Sequence, residues 1–248
     1  MTNSERYLKF CNNPKWTTRA VWRGKYGTDM FVNISICRWN EDTKCLHNLS
    51  FNNTMDYYKQ MKKLAEQYAN WCALKNPKLT DEEKEYLMFH FVGFIGEFFF
   101  VTLFEIKNQL IVRTKNMTYT FYDVCPLDAV SEDFGVDLTG RVTKSNSSES
   151  ADCVFQVKFW HPFSKKKIDM GICMKLWGQA TLEEMINHND NDNLFICWLG
   201  DITNVSMWVN RYEKLSKHIV YIDKQVLKDN VDNDPIFWEK FTEKIEKL

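Results

Sequence analysis

A chain of 248 residues can build one substantial core, or one domain carrying a smaller recognition appendage. Its 44% hydrophobic and 26% charged residues are the balance of a soluble globular protein, and aromatics at 15% predict a ring-rich core or binding surface. A net charge of −1 excludes a uniformly basic nucleic-acid binder, so any such contact must come from a local patch.

The first 40 residues supply one candidate patch. Seven basic residues (Arg6, Lys9, Lys15, Arg19, Arg23, Lys25 and Arg38) stand there against two acidic ones. They interleave with Tyr7, Trp16, Trp22, Tyr26 and Trp39. Basic side chains neutralise phosphates and rings stack on bases, so Arg19, Arg23 and Lys25 are candidate nucleic-acid contacts. The alternative is a solvated face with its aromatics turned inward. Met1 to Lys15 lacks the apolar run of a secretory leader, and a cytoplasmic protein is expected.

Met55 to Lys75 reads as a helix, with Tyr57, Met61, Leu64, Tyr68, Trp71 and Cys72 on one stripe, Thr54 as cap and Pro77 beyond its end. Thr80-Asp81-Glu82-Glu83 fits a capping box that opens a second helix running to about Ile106. Its apolar part is broken by His90, Gly93, Gly96, Glu97 and Glu105. A lipid-spanning helix would carry each ionised residue near its centre at ~2.5–3.5 kcal/mol, so a buried helix is the cheaper reading and no membrane partner is expected.

Strands are then predicted at Gln109 to Thr114, Thr118 to Val124, Phe134 to Thr139 and Cys153 to Trp160, with a polar loop at Lys144 to Ser150. Ile168 to Trp177 could extend the sheet, and Gly178 to Asn187 looks helical. Leu194 to Leu199 and His218 to Asp223 are short apolar strands, and Asp234-Pro235 opens a last helix. This order is that of an α/β layer architecture with a mixed sheet. Of the eight cysteines none forms a C-x-x-C pair, which favours reduced, buried thiols over a disulfide framework or a zinc site.

The informative segments are Gly135-Val136-Asp137-Leu138-Thr139 and Val154-Phe155-Gln156-Val157-Lys158-Phe159, where polar groups interrupt apolar strands. Gln156 and Lys158 are two apart and share one face, leaving Phe155, Val157 and Phe159 on the other. If the two strands are neighbours, Asp137 meets Gln156 and Lys158 at one edge. A carboxylate there can hold a hard divalent cation that binds phosphate oxygens and activates water, while a Lys positions that water and offsets charge on phosphorus. The Gln156 carbonyl oxygen can complete the shell, and Glu97 can add negative charge.

These residues resemble the PD-(D/E)xK nuclease superfamily, in its variant with Gln in the third motif position, over roughly Gly96 to Asp223. The resemblance implies a restriction-endonuclease-like mixed central sheet flanked by helices from residue 80 to residue 248, with residues 1 to 79 as a mainly helical N-terminal extension. It implies that Asp137 and Glu97 bind metal, that Gln156 and the Val157 carbonyl support it, and that Lys158 is catalytic. The cofactor implied is Mg²⁺, with Mn²⁺ as substitute. The partner implied is DNA, with RNA left open, and many relatives work as homodimers. Two departures stand out: no Pro precedes Asp137, and Gln156 replaces the commoner acid. Restriction or another defence against foreign DNA is expected by analogy of fold alone.

His161 and the run Lys165, Lys166 and Lys167 follow the Lys158 strand and are candidate phosphate contacts, though a three-Lys run also suits a plain solvated turn. Glu85 and Glu105 are weaker substitutes for Glu97, near the ends of their helix. Two other functions compete with a nuclease. One is a non-catalytic nucleic-acid-binding protein that keeps the fold, and the other is an interaction protein using its aromatic surface.

Overall fold

The computed structural model describes residues 2–5, 36–126, 136–159, 166–182, 194–198, 202–212 and 218–248. The elements in chain order are helices α1 (Ile36–Thr43), α2 (Thr54–Lys75) and α3 (Asp81–Lys107), then strands β1 (Leu110–Arg113), β2 (Thr118–Pro126), β3 (Leu138–Lys144) and β4 (Ser150–Lys158). Helix α4 (Met170–Leu182), strand β5 (Leu194–Trp198), helix α5 (Met207–Arg211), strand β6 (Ile219–Ile222), and helices α6 (Lys224–Leu227) and α7 (Pro235–Ile245) complete the series. The molecule is therefore α/β, with a mixed sheet flanked by helices and an N-terminal helical part.

The six strands lie side by side in chain order. β1 to β4 form an antiparallel meander, and β5 and β6 add in parallel. Parallel addition requires a crossover, and α4 lies between β4 and β5 in the chain. One face of the sheet packs its rings Phe121, Phe155 and Phe195 toward α2, α3 and α7, in a core that also takes in α1. The other face presents Val154, Ile196 and Trp198 to Cys173, Leu176 and Ala180 of α4 and to Val209 of α5. β4 thus alternates as its sequence requires, with Phe155, Val157 and Phe159 in the first core and Val154 in the second.

The capping box at α3 forms in full: the Glu83 N–H donates to Thr80 Oγ1 at 3.3 Å, and the Thr80 N–H donates to Glu83 Oε2 at 2.6 Å. α3 is the one described helix apolar and long enough to cross a membrane by composition, yet 61% of its apolar window is buried inside the protein. Its rings Phe91, Phe98, Phe99, Phe100 and Phe104 are core residues.

Several expectations need correction. The cap of α2 is Asn53, whose side chain accepts from the Asp56 N–H at 2.9 Å. Thr54 is instead drawn to Asp232, which accepts from both its N–H and its hydroxyl. Ile168 to Trp177 adds no strand beyond one bridge from Ile168 to Val205. Asp169 starts α4 there, accepting the Ile172 N–H on its carboxylate at 2.9 Å, and Cys173, Leu176 and Ala180 then fall on one buried stripe. β3 is displaced toward the C-terminus, paired from Leu138 to Lys144, so the hairpin tip is shorter than the polar run. Phe134 and Gly135 lie outside the described residues. Of the two readings of the N-terminal aromatics, Trp39 follows the inward one: it is buried and meets Tyr68 and Phe91 edge-on at 5.7 and 5.4 Å.

One irregularity steers β3. Between the pairs Tyr122–Arg141 and Cys125–Thr139, Asp123 and Val124 of β2 stand opposite the single residue Gly140. Asp123 takes a φ of 53°, and a Cβ on Gly140 would lie 2.7 Å from Val124 Cγ2. This bulge bends β2 over a residue that has no side chain to resist it.

Candidate functional site

β3 and β4 part company at Asp137. The last ladder pair is Leu138 with Phe155, after which the Asp137 N–H donates to the Phe155 carbonyl at 2.8 Å. The following contact is not backbone to backbone. The Val157 N–H donates to Asp137 Oδ2 at 2.5 Å, so a carboxylate takes the place a β3 carbonyl would have filled. The carbonyl of the same Val157 accepts from Lys158 Nζ at a longer 3.4 Å. One peptide residue thus joins the acid to the ammonium.

The charge of Asp137 is felt beyond that bond. Burial pushes the Cys197 thiol well above its usual range, and the nearby Asp137 carboxylate pushes it further. Cys197 is the β5 partner of Val157. The Asp137 carboxylate therefore sits near the C-terminal ends of the parallel pair β4 and β5, where open α/β sheets leave their ligand crevice.

Gln156 lies on the α4 side of β4 and opposite Ile196. It is 1% exposed, and its Oε1 meets no hydrogen-bond donor among the described residues. Leaving such an oxygen unmatched costs about 1–3 kcal/mol, so a buried orphan acceptor calls for a partner. Lys158 is half-buried on the same strand face.

Glu97 arrives on α3. Gly96 before it lets the helix close on the end of β4: a Cβ there would lie 2.2 Å from Phe159 Cβ. Glu97, half-buried, follows Gly96 on α3, beside the Phe159 that succeeds Lys158 in the chain. The structure thus brings Asp137, Val157 and Lys158 into bonded contact and sets Gln156 and Glu97 on the elements around them. Among the described residues no three His, Cys, Asp or Glu side chains gather as a ligand set. A metal here would rely on Asp137 and Glu97, on the orphan Gln156 oxygen and on the Val157 carbonyl. Such an all-oxygen set suits a hard cation such as Mg²⁺, and the unmatched Gln156 oxygen is the feature that fits it.

The alternative acid Glu105 is otherwise engaged. Burial raises its pKa, but Lys244 Nζ at 2.6 Å and the Ser4 N–H at 2.8 Å outweigh that and hold it below the usual carboxylate range. Because the folded value lies below the unfolded one, the contribution is complete above the unfolded pKa and lost as pH falls through the folded one. Glu105→Gln should lower stability by about 1–2 kcal/mol at neutral pH and by progressively less in acid. Urea unfolding at pH 7 and at pH 3 checks this, and an equal deficit at both would contradict it. Glu85 is exposed in the first turns of α3.

Arg19, Arg23, Lys25, His161 and Lys165 lie outside the described residues. Lys166 and Lys167 are exposed, and Lys166 Nζ stands 4.8 Å from the centre of the Phe89 ring. The sequence reading passed over two exposed rings, Phe89 and Trp208. Phe89 is hidden in the apolar run of α3, and Trp208 sits in a five-residue helix. Their signal was a cation near each ring, and only the Arg211 partner of Trp208 is local in sequence. Every described cysteine is free, and burial lifts the thiols of Cys72 and Cys173 to about 12, in line with inert core residues. Comparison of the chain with protein-family models, with curated proteins and with solved structures gives no match.

Proposed function

We propose that the protein is a metal-dependent nuclease that hydrolyses phosphodiester bonds in DNA. The observation that carries this reading is the junction at Val157, whose N–H holds the Asp137 carboxylate and whose carbonyl meets Lys158. The orphan oxygen of Gln156 lies one residue away. The succession of α3, β1, β2, β3, β4, α4 and β5, with Asp137 just before one strand and Gln-x-Lys closing the next, resembles the order expected of the PD-(D/E)xK superfamily and supports a restriction-endonuclease-like fold.

A divalent cation, when bound, would polarise the phosphoryl group and lower the pKa of a water. The chain's own residues do the rest. Asp137 and Glu97 bring the negative charge that retains the cation, and Gln156 and the Val157 carbonyl offer neutral oxygens. Lys158 orients the attacking water and balances charge that builds on the phosphate. The hydrogen bond from Val157 fixes the Asp137 carboxylate in place, so that it does not have to be ordered on substrate binding. A role in restriction or defence rests on analogy of fold.

A second reading has one observation in its favour. Asp137 already spends one oxygen on a structural hydrogen bond, and Gln156 is a weaker ligand than an acid, which suits a fold that binds nucleic acid without cutting it. The experiment is incubation of the purified protein with plasmid and phage DNA, with Mg²⁺ or Mn²⁺ and separately with chelator. Cleavage confined to the metal samples is expected. Binding without cleavage in any sample would favour the second reading.

A further inference from the structure

Phe89 and Trp208 are large rings left in the open, 55% and 64% exposed. Each carries a cation: Lys166 Nζ lies 4.8 Å from the Phe89 centroid, and the Arg211 guanidinium lies 5.6 Å from that of Trp208. The two pairs are joined. Lys166 and Lys167 lead directly into Ile168, which bridges to Val205, and the Ser206 N–H donates to the Ile168 carbonyl at 2.8 Å. Ser206 then caps α5, which presents Trp208 and Arg211.

This surface also borders the site. Segments leaving the C-terminal ends of β4 and β5 meet at the Ile168–Val205 bridge, and Lys158 is at that end of β4. Phe89 stands about 12 Å along α3 from Glu97 at the ordinary helical rise. Gly93 lies between them, where an added Cβ would meet nothing within 4 Å.

We propose that Phe89, Lys166, Lys167, Trp208 and Arg211 form a track for single-stranded nucleic acid leading to the Lys158 site. Positive charge on the track matches phosphate, and rings flanked by cations match the faces of bases. Paired duplex keeps its base faces stacked inside, where these rings could not reach them. The track therefore selects an unpaired strand. This deepens the nuclease reading and rests on it for the direction of the strand, but it is tested without cleavage.

The test measures binding of a labelled oligothymidylate and of a blunt duplex of equal length, in chelator and low salt. The wild type should bind the single strand more tightly. Trp208→Ala and Phe89→Ala should each weaken that binding by about tenfold and leave duplex binding almost unchanged, while Trp208→Phe, which keeps a ring, should stay near the wild type. Lys166→Gln with Lys167→Gln should flatten the salt dependence. Duplex bound as tightly as single strand, alanine variants that bind the strand like the wild type, or binding to neither nucleic acid would overturn the proposal. Because the readout needs no metal, loss of the nuclease reading would leave a positive result standing.

Discussion

Gly96→Ala should destabilise the protein by about 3 kcal/mol, the upper end of ordinary overpacking costs, whereas Gly93→Ala on the same helix should stabilise it by up to about 1 kcal/mol. The two glycines face opposite circumstances. A methyl at Gly96 would fall 2.2 Å from Phe159 Cβ and 2.4 Å from its Cγ, and a methyl at Gly93 would touch nothing. Phe159 has no room to retreat, because Tyr57, Phe99 and Phe100 surround it with ring centroids at 5.6, 6.1 and 6.5 Å. Thermal melts should separate the variants, with a fall of roughly 6–12 °C for Gly96→Ala and a rise of roughly 2–4 °C for Gly93→Ala. The displaced Phe159 adjoins Lys158, so the first variant should also lose activity. Equal melting temperatures for the pair would mean that α3 does not close on β4 as described.

Asp137 has two duties that substitution can separate. Asp137→Asn keeps an oxygen for the Val157 N–H but removes the charge, so stability should stay within about 1 kcal/mol of wild type while cleavage falls at least 100-fold. Asp137→Ala removes both and leaves the Val157 N–H without its acceptor, costing about 1–3 kcal/mol in addition. Urea titration beside a cleavage assay reads the two effects independently. An Asn variant as active as wild type would reduce Asp137 to a structural hydrogen bond.

Local rules were the readable part of this chain. The capping box at Thr80 and Glu83 is a contact over three residues, and it appears where the spacing puts it. The alternation along β4 is equally local, and it separates Phe155, Val157 and Phe159 from Gln156 and Lys158. What failed depended on partners far along the chain. Thr54 looked like a cap until Asp232, 178 residues away, took its hydroxyl. Ile168 to Trp177 is apolar enough for either a strand or a helix, and only the Asp169 cap and the contact with β4 and β5 decide between them. Trp39, placed among basic residues, reads equally as a surface ring or an inward one, and the packing on Tyr68 and Phe91 that decides for the inward one belongs to the tertiary core. Glu105 already ranks below Glu97 by its place near the helix end, but its pairing with Lys244, 139 residues on, has no local signal.

The candidate site divides in the same way. Its residue types and the strand that bears Gln156 and Lys158 were legible, since Asp and Gln-x-Lys in apolar runs stand out, whereas Asp137 lies just before its strand and not within it. The bond from the Val157 N–H to Asp137 was not legible, because it exists only where two strands stop pairing. The orphan state of Gln156 was equally hidden, being a property of everything around it.

The most direct measurement is cleavage of single-stranded phage DNA and of plasmid DNA in Mg²⁺ by the wild type and by Lys158→Ala, each also run with chelator. The account predicts metal-dependent cutting by the wild type and a loss of about 100- to 1,000-fold in the variant, with its folding intact. Cutting that survives Lys158→Ala would place the chemistry elsewhere in the molecule and contradict it.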